Sequence, residues 1–409
     1  MIYDFKLSKF HKNLNLNSLS KNNEELNFIG EFAFYQKYKN YFFCLRDPIG
    51  AKKLFYYKDK KKCKIIFSNS FLKLAKRHNC NNIFSVPKGT LAKIDKKGNL
   101  SVIKLIKKEN FENFIIFKKK FIIRLTNYFK EVKKRHGNRC YVLLSGGLDS
   151  TIVAYYAKKV FSHVTAITGC FYHTKKKNTF NSDLQLAKKI SKRLDINHIE
   201  MRFLYSDIKK KLKKILFTSQ DWRDYNVHCA TLNYFIASQL HKKEKKNIPI
   251  FSGDMMNEFC ADYLPEKYDG KIYYNYKKID KRYYQRFLIN SLDSSSREVG
   301  VFDHYNMILF QPYSVMKDLY VKFPKRLFDK NNFKYLVNGN LIPKNLLKMV
   351  GKKKNRAQIV DNQGGILGYF LKENYDQKKL KKFFTKTFTF NNQWLDSFFK
   401  LGSFKTDNN

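Results

Sequence analysis

The sequence predicts an α/β chain: a doubly wound parallel sheet with a helical C-terminal part, preceded by a small β-rich domain. Three observations predict it. Apolar residues Tyr141 to Leu144 run into the turn Ser145-Gly-Gly-Leu-Asp-Ser150, and an apolar-periodic segment follows through Val153, Ala154 and Ala157. That pattern is strand, turn, helix. The alternation recurs downstream, with Val164–Thr168 and Asn197–Met201 as strands around a helix holding Leu184, Leu186, Ala187, Ile190 and Leu194, the order of a parallel sheet. Upstream, aromatic runs ending at Tyr35 and spanning Tyr41–Leu45 flank the polar turn Lys37-Tyr-Lys-Asn40, a hairpin signal.

In chain order, residues 27–106 read as β-rich. Lys64–Phe67 is a strand, Ser68-Asn-Ser70 opens a short helix, and Val86-Pro-Lys-Gly89 precedes the strand Thr90–Ile94. A linker near Lys107–Asn110 divides the chain into domains 1–108 and 109–409. Phe114–Lys134 carries Ile115, Ile122, Leu125, Phe129 and Val132 at helical spacing and reads as an amphipathic helix. Helical segments follow Lys209. Between them Asp221, Arg223, Asp224 and His228 crowd into one stretch that suits a pocket wall, with His228 reading as a core histidine. Ile248–Phe251 is another strand, delivering Ser252-Gly-Asp254. The Lys- and Phe-rich tail after Asn374 carries no functional signal.

Composition narrows the function. Lys and Arg number 81 against 34 Asp and Glu, a net charge of +47, which would attract nucleotides and other anions. The basic residues are spread along the chain, and Asn, Ile, Phe and Tyr are abundant with Lys, the residues of A- and T-rich codons. Without a reading motif this charge argues against a dedicated nucleic-acid role. The seven cysteines form no CxxC pair and read as reduced thiols rather than a zinc site or disulfide frame. No apolar run is long enough to cross a bilayer, and Met1–Ser8 lacks a signal-peptide pattern, so the expected location is cytoplasmic.

The loop itself suggests its ligand. Glycines 146 and 147 allow positive φ and a close backbone approach, so the amides from Leu144 to Ser150 and the helix start can cradle phosphates. The hydroxyls of Ser145 and Ser150 add donors, and Asp149 can hold Mg2+. No Gly-Lys-Ser/Thr closes the turn, which excludes a Walker loop.

Ser145-Gly-Gly-Leu-Asp-Ser150 resembles the pyrophosphate (PP) loop of ATP pyrophosphatases, which cleave ATP to AMP and pyrophosphate. Arg46-Asp-Pro-Ile-Gly-Ala-Lys-Lys-Leu-Phe-Tyr, Phe67-Ser-Asn-Ser and Pro87-Lys-Gly, lying upstream in this order, are similar to the glutamine-dependent asparagine synthetases. The similarity extends from about Gly30 to about Asp361. Ser252-Gly-Asp-Met-Met-Asn-Glu-Phe-Cys-Ala-Asp-Tyr263 aligns with that family's second signature. Ser252, Gly253, Glu258 and Tyr263 agree, Asp254 replaces a Glu, Asn257 a magnesium-binding Asp, Met255 a Gly, and Ala261-Asp262 two glycines. Arg297 and Pro312 also match, whereas Phe310 and Val315 replace an Arg and an Asp. Arg356, with Lys354 beside it, aligns with a Lys that reaches the ATP phosphates.

The resemblance implies an enzyme using ATP and Mg2+. It adenylates a small carboxylic acid, aspartate by default, and passes ammonia or an amine to it. Leu144, Ser145, Gly146, Gly147, Asp149, Ser150, Ser252, Gly253 and Asp254 would bind nucleotide, Asp149 and Asn257 the metal, and Arg356, Lys354 and Glu258 would be catalytic. The altered second signature leaves a specialised acid open. The family's glutaminase begins with a cysteine after the initiator methionine; here Ile2 stands there and the first cysteine, Cys44, lies in a strand. The N-terminal domain is therefore expected to be a truncated, inactive glutaminase remnant, a docking platform. Nitrogen would come from free ammonia, an amine or a separate glutaminase subunit. A tRNA-modifying PP-loop enzyme and a non-catalytic nucleotide-binding relative remain alternatives. The oligomeric state is not fixed by the sequence.

Overall fold

A computed structural model describes residues 31–59, 61–104, 114–173, 182–244, 248–262, 266–268, 271–273, 283, 288, 293, 296–321, 333–350, 365–388 and 391–399. The expected domain boundary at 108/109 lies outside them.

The N-terminal part contains β1 (Ala33–Tyr38), β2 (Tyr41–Arg46), β3 (Phe55–Asp59), β4 (Lys64–Ser68), α1 (Phe71–Ala75), β5 (Ile83–Ser85), β6 (Thr90–Asp95) and β7 (Leu100–Lys104). These strands form two antiparallel sheets, ordered β1-β2-β6-β7 and β4-β3-β5. The β-rich reading holds. Strand alternation explains why β3 is buried on both faces. Tyr56 packs with Cys44, Ala92 and Ile94 between the two sheets, while Phe55 turns outward to Phe71 and to Phe398 in the C-terminal tail.

The second part is a five-stranded sheet of β8 (Arg139–Leu143), β9 (His163–Tyr172), β10 (Asn197–Leu204), β11 (Ile250–Phe251) and β14 (Leu309–Phe310), ordered β10-β9-β8-β11-β14. Every pairing in it is parallel. A separate antiparallel hairpin joins β12 (Glu266–Tyr268) to β13 (Lys271–Tyr273). Helices cover both faces: α2 (Phe114–His136) and α3 (Leu148–Val160) share a core with Cys140, Val142, Phe251 and Phe310. On the other face α5 (Ser206–Ser219) and α6 (Asp224–Lys243) pack on Tyr141, Ile250 and Leu309. Between these helix pairs in the chain lies α4 (Ser182–Leu194). The sheet is doubly wound, as expected.

Two local readings need correction. The buried stripe of α2 is Phe117, Phe121, Leu125, Tyr128, Phe129 and Val132, and Ile115 is 77% exposed; the aromatic residues, being larger, claim the core-facing positions. Strand β9 does not stop at Gly169 but continues to Tyr172. A Cβ at Gly169 would lie 2.8 Å from the Ile236 side chain, so this glycine makes room for α6 rather than ending the strand. In the tail, α9 (Gln377–Phe388) and α10 (Asn392–Phe398) bury Leu380, Phe384, Leu395 and Phe398. Trp394 Nε1 donates to the Cys80 carbonyl at 3.0 Å, which ties the tail to the β-rich part.

Candidate active site

The chain winds from β8 to β9 to β10 on one side of β8, and β11 flanks its other side. A crevice opens at the carboxyl ends of strands where the winding reverses, and Ser145–Ser150 emerges there. Gly146 has φ +77°, and a Cβ on it would meet Leu186 Cβ at 2.5 Å. Glycine is required twice over, for the turn and for the approach of α4. Gly147 is the N-cap of α3 and no side chain caps that helix. The Ser150 hydroxyl lies 3.2 Å from the Ser145 amide and 3.2 Å from the Ser145 hydroxyl, bracing the loop across its mouth. Leu144 is anchored by its amide, which donates to Ile167 O at 2.9 Å.

The Ser252-Gly253 turn, at the end of β11, packs directly on this helix start. A Cβ at Gly253 would lie 2.7 Å from the Ser150 amide nitrogen, so the two signature segments share one surface. Asp254 faces Arg297 instead of the loop. Arg297 Nη2 donates to Asp254 Oδ1 at 2.9 Å and to Glu258 Oε1 at 2.7 Å. Glu258 sits in α7 (Met256–Cys260) and is 1% exposed. A carboxylate held against a guanidinium in this way positions that guanidinium. Glu298 accepts from Ser252 Oγ at 2.8 Å. Burial and the neighbouring Asp254 carboxylate push its pKa well above the usual range, against the pull of Arg297. A cavity of about 20 Å³, room for one small molecule such as water, lies among Asp254, Arg297, Glu298 and Gln311. A larger one of about 250 Å³ lies between the two parts of the chain, against Lys53, Gln220 and His304, and touches no loop residue.

Asp221 accepts from Arg223 at 2.6 Å and from Asn226 Nδ2 at 2.7 Å. Arg297 Nη1 in turn reaches Asn226 Oδ1 at 3.5 Å, so the expected polar cluster backs onto Arg297. His228 is buried against Phe370, and burial pulls its pKa down to about 3, as a neutral core histidine. The side chain of Asp224 is outside the described residues, as are Tyr263, Lys354 and Arg356.

Asp149, in the first turn of α3, is 5% exposed, and its Oδ2 lies 2.5 Å from the Lys334 ammonium. Lys334 belongs to α8 (Phe333–Asn338). The same Nζ donates to Asn257 Oδ1 at 2.6 Å and pairs with Asp262 Oδ2 at 3.4 Å. Burial alone would lower the Lys334 pKa, but Asp149 and Asp262 outweigh it and hold it above the usual lysine value. Asp149 Oδ1 is buried and has no hydrogen-bond partner among the described residues. The expected metal pair, Asp149 and Asn257, is thus brought together around an ammonium. As folded, it does not fit a protein-held divalent ion, which demands close octahedral oxygens. Nothing in the residue pattern singles out Lys334, one basic residue among 81.

Residues 132–283 match the asparagine synthase family. No curated protein matches the chain. Among solved structures, the NH3-dependent NAD synthetase of Campylobacter jejuni subsp. jejuni NCTC 11168, in complex with the nitrate ion, aligns at 18% identity over 42% of this chain and 73% of that one, with TM-score 0.26. NMN synthetase from Francisella tularensis aligns at 15% identity over 64% of this chain and 95% of that one, with TM-score 0.27. The U34-tRNA thiolase NcsA of Methanococcus maripaludis aligns at 12% identity over 67% and 79%, with TM-score 0.34. At such identities and TM-scores these likenesses assign no activity to this chain.

Proposed function

We propose, from the match of residues 132–283 to the asparagine synthase family, that the protein is an ATP-dependent amide-forming synthetase. A carboxylate oxygen of a small acid attacks the α-phosphorus of ATP, and the bond to the bridging oxygen of pyrophosphate breaks. Ammonia or an amine then attacks the acyl carbon of the acyl-adenylate, loses a proton, and AMP leaves with the bonding electron pair. Aspartate is the default acid.

The observation carrying this reading is the packing of the Ser252-Gly253 turn against the Ser150 amide at the open carboxyl end of β8. It puts both signature segments at one helix N-terminus, where oriented amides stabilise the charge that develops on departing pyrophosphate. Ser145 and Ser150 add hydroxyl donors. Lys354 and Arg356, outside the described residues, are proposed to steady the α-phosphate. Glu258 and Asp254 hold Arg297 rigid beside the small cavity. Most of the rate enhancement would then come from positioning and preorganised charge.

The test is pyrophosphate release with ATP, Mg2+ and ammonia over a panel of carboxylic acids, with products identified by mass spectrometry. An acid-dependent release with a matching amide product is expected. ATP binding without release for any acid would favour a non-catalytic nucleotide-binding protein, and release only with RNA a tRNA-modifying enzyme.

A further inference from the structure

The loop already contains a cation. Lys334 Nζ is surrounded by Asp149 Oδ2 at 2.5 Å, Asn257 Oδ1 at 2.6 Å and Asp262 Oδ2 at 3.4 Å. An ammonium has three N–H donors, and it faces three oxygens from two segments: Asp149 of the loop helix, and Asn257 and Asp262 in and just after α7. Its side chain is 8% exposed, so the group is built into the site rather than resting on it. The charges agree. Asn257 supplies an oxygen but no charge, which leaves Asp149 and the half-exposed Asp262 facing a single positive charge. A divalent ion between Asp149 and Asn257 would have to share that space with an ammonium already within contact of both, and two adjacent cations repel strongly where water is scarce.

We propose that Lys334 is the resident cation of this loop: its ammonium stands in for a protein-bound divalent metal ion and supplies one positive charge to the pyrophosphate bound there. The first half follows from the geometry alone, and the second rests on the function proposed above. Lys334 comes from α8, outside both signature segments, so the loop is completed from a distant part of the chain.

The first half is tested without nucleotide, by titrating Mn2+ into the full chain and following free Mn2+ by electron paramagnetic resonance. Wild type should leave the signal of free Mn2+ undiminished. Lys334→Gln should gain one bound Mn2+, on Asp149, Asn257 and Asp262, and Lys334→Gln/Asp149→Asn should lose it. Asn257→Asp, with the lysine intact, should still exclude the metal. Stoichiometric Mn2+ binding by wild type that Asp149→Asn removes would overturn the proposal. So would a Lys334→Gln protein, folded by circular dichroism, that still excludes Mn2+. If that variant does not fold, wild type and Asn257→Asp decide the question.

The second half is read by calorimetry of pyrophosphate binding in excess EDTA. Wild type should bind, and Lys334→Gln should bind about tenfold more weakly, as expected for loss of one charge-assisted contact. Equal affinity for the two proteins would overturn the second half. Mn2+ exclusion by wild type together with no pyrophosphate binding would defeat the proposed function while leaving the ammonium assignment in place.

Discussion

At the scale of single residues, Asp149 has the most to lose. Its Oδ2 neutralises Lys334 while Oδ1 is left with no hydrogen-bond partner among the described residues. A buried carboxylate oxygen left so is costly. Asp149→Asn keeps the shape and removes the charge. It should lower pyrophosphate release by about 100-fold or more, on the scale of removing one preorganised electrostatic partner, and it should weaken the fold because Lys334 stays buried without its main counter-charge. Steady-state pyrophosphate assays and urea unfolding measure the two effects, and unchanged turnover would remove Asp149 from the site. Asp149 was readable in the sequence because the strand–turn–helix pattern around it is local. Lys334 and the Arg297–Glu258 pair were not, because each depends on side chains brought together by the tertiary fold.

At the scale of elements, two departures from glycine carry a backbone cost. Met255, the N-cap of α7, has φ +89°, and Ala261, its C-cap, has φ +50°. Both lie in the left-handed region that glycine occupies without penalty. Met255 is 1% exposed, so its side chain repays some of that strain by packing. Ala261 has only a methyl group, partly exposed, and gains little in return. Ala261→Gly should therefore stabilise the protein by about 1 kcal/mol, read as a higher urea midpoint with an unchanged slope; a lower midpoint would show that the methyl packs better than its surroundings indicate. Element existence was legible from periodicity, as β8 to β10 and α3 to α5 show. Which face of α2 is buried was not, because Ile115 and Phe117 compete for the same stripe and only the shape of the neighbouring core decides.

At the scale of the whole molecule, the β-rich part and the sheet domain share apolar clusters, in which Phe55, Phe71 and Ile83 pack with the core around Tyr141 and Ile250, and are also joined by buried polar groups. Arg46, fully buried, pairs with Asp293 at 2.5 Å, and Lys52 pairs with Asp303 at 2.9 Å. The Arg46-Asp-Pro-Ile-Gly motif is thus structural: Asp47 accepts from the amides of Ile49, Ala51 and Lys52 and shapes the loop that Arg46 locks down. Glu31 is the most telling contact. It is 1% exposed and accepts from the Tyr128 hydroxyl at 2.8 Å, the Gln311 amide at 2.5 Å and the Ser314 hydroxyl at 3.1 Å. Burial raises its pKa from 4.5 to about 7, against the hydrogen bonds from Tyr128 and Gln311. A folded-state pKa above the unfolded value means the folded protein binds the extra proton, so this stabilisation is full below pH 4.5 and is lost as pH rises through about 7. Lys53 and Lys317 are pulled down to about 7 by burial, so their contribution changes above that pH; His228 and Glu298, which are shifted in the window below it, are common to wild type and Glu31→Gln and cancel in the comparison. Glu31→Gln has no proton to exchange. The melting temperature of wild type relative to Glu31→Gln should therefore fall across pH 4.5 to 7 and level off above it. A difference that is flat, or that rises through this window, would show that Glu31 stays ionised in the folded protein and that its three donors, not its burial, set its charge.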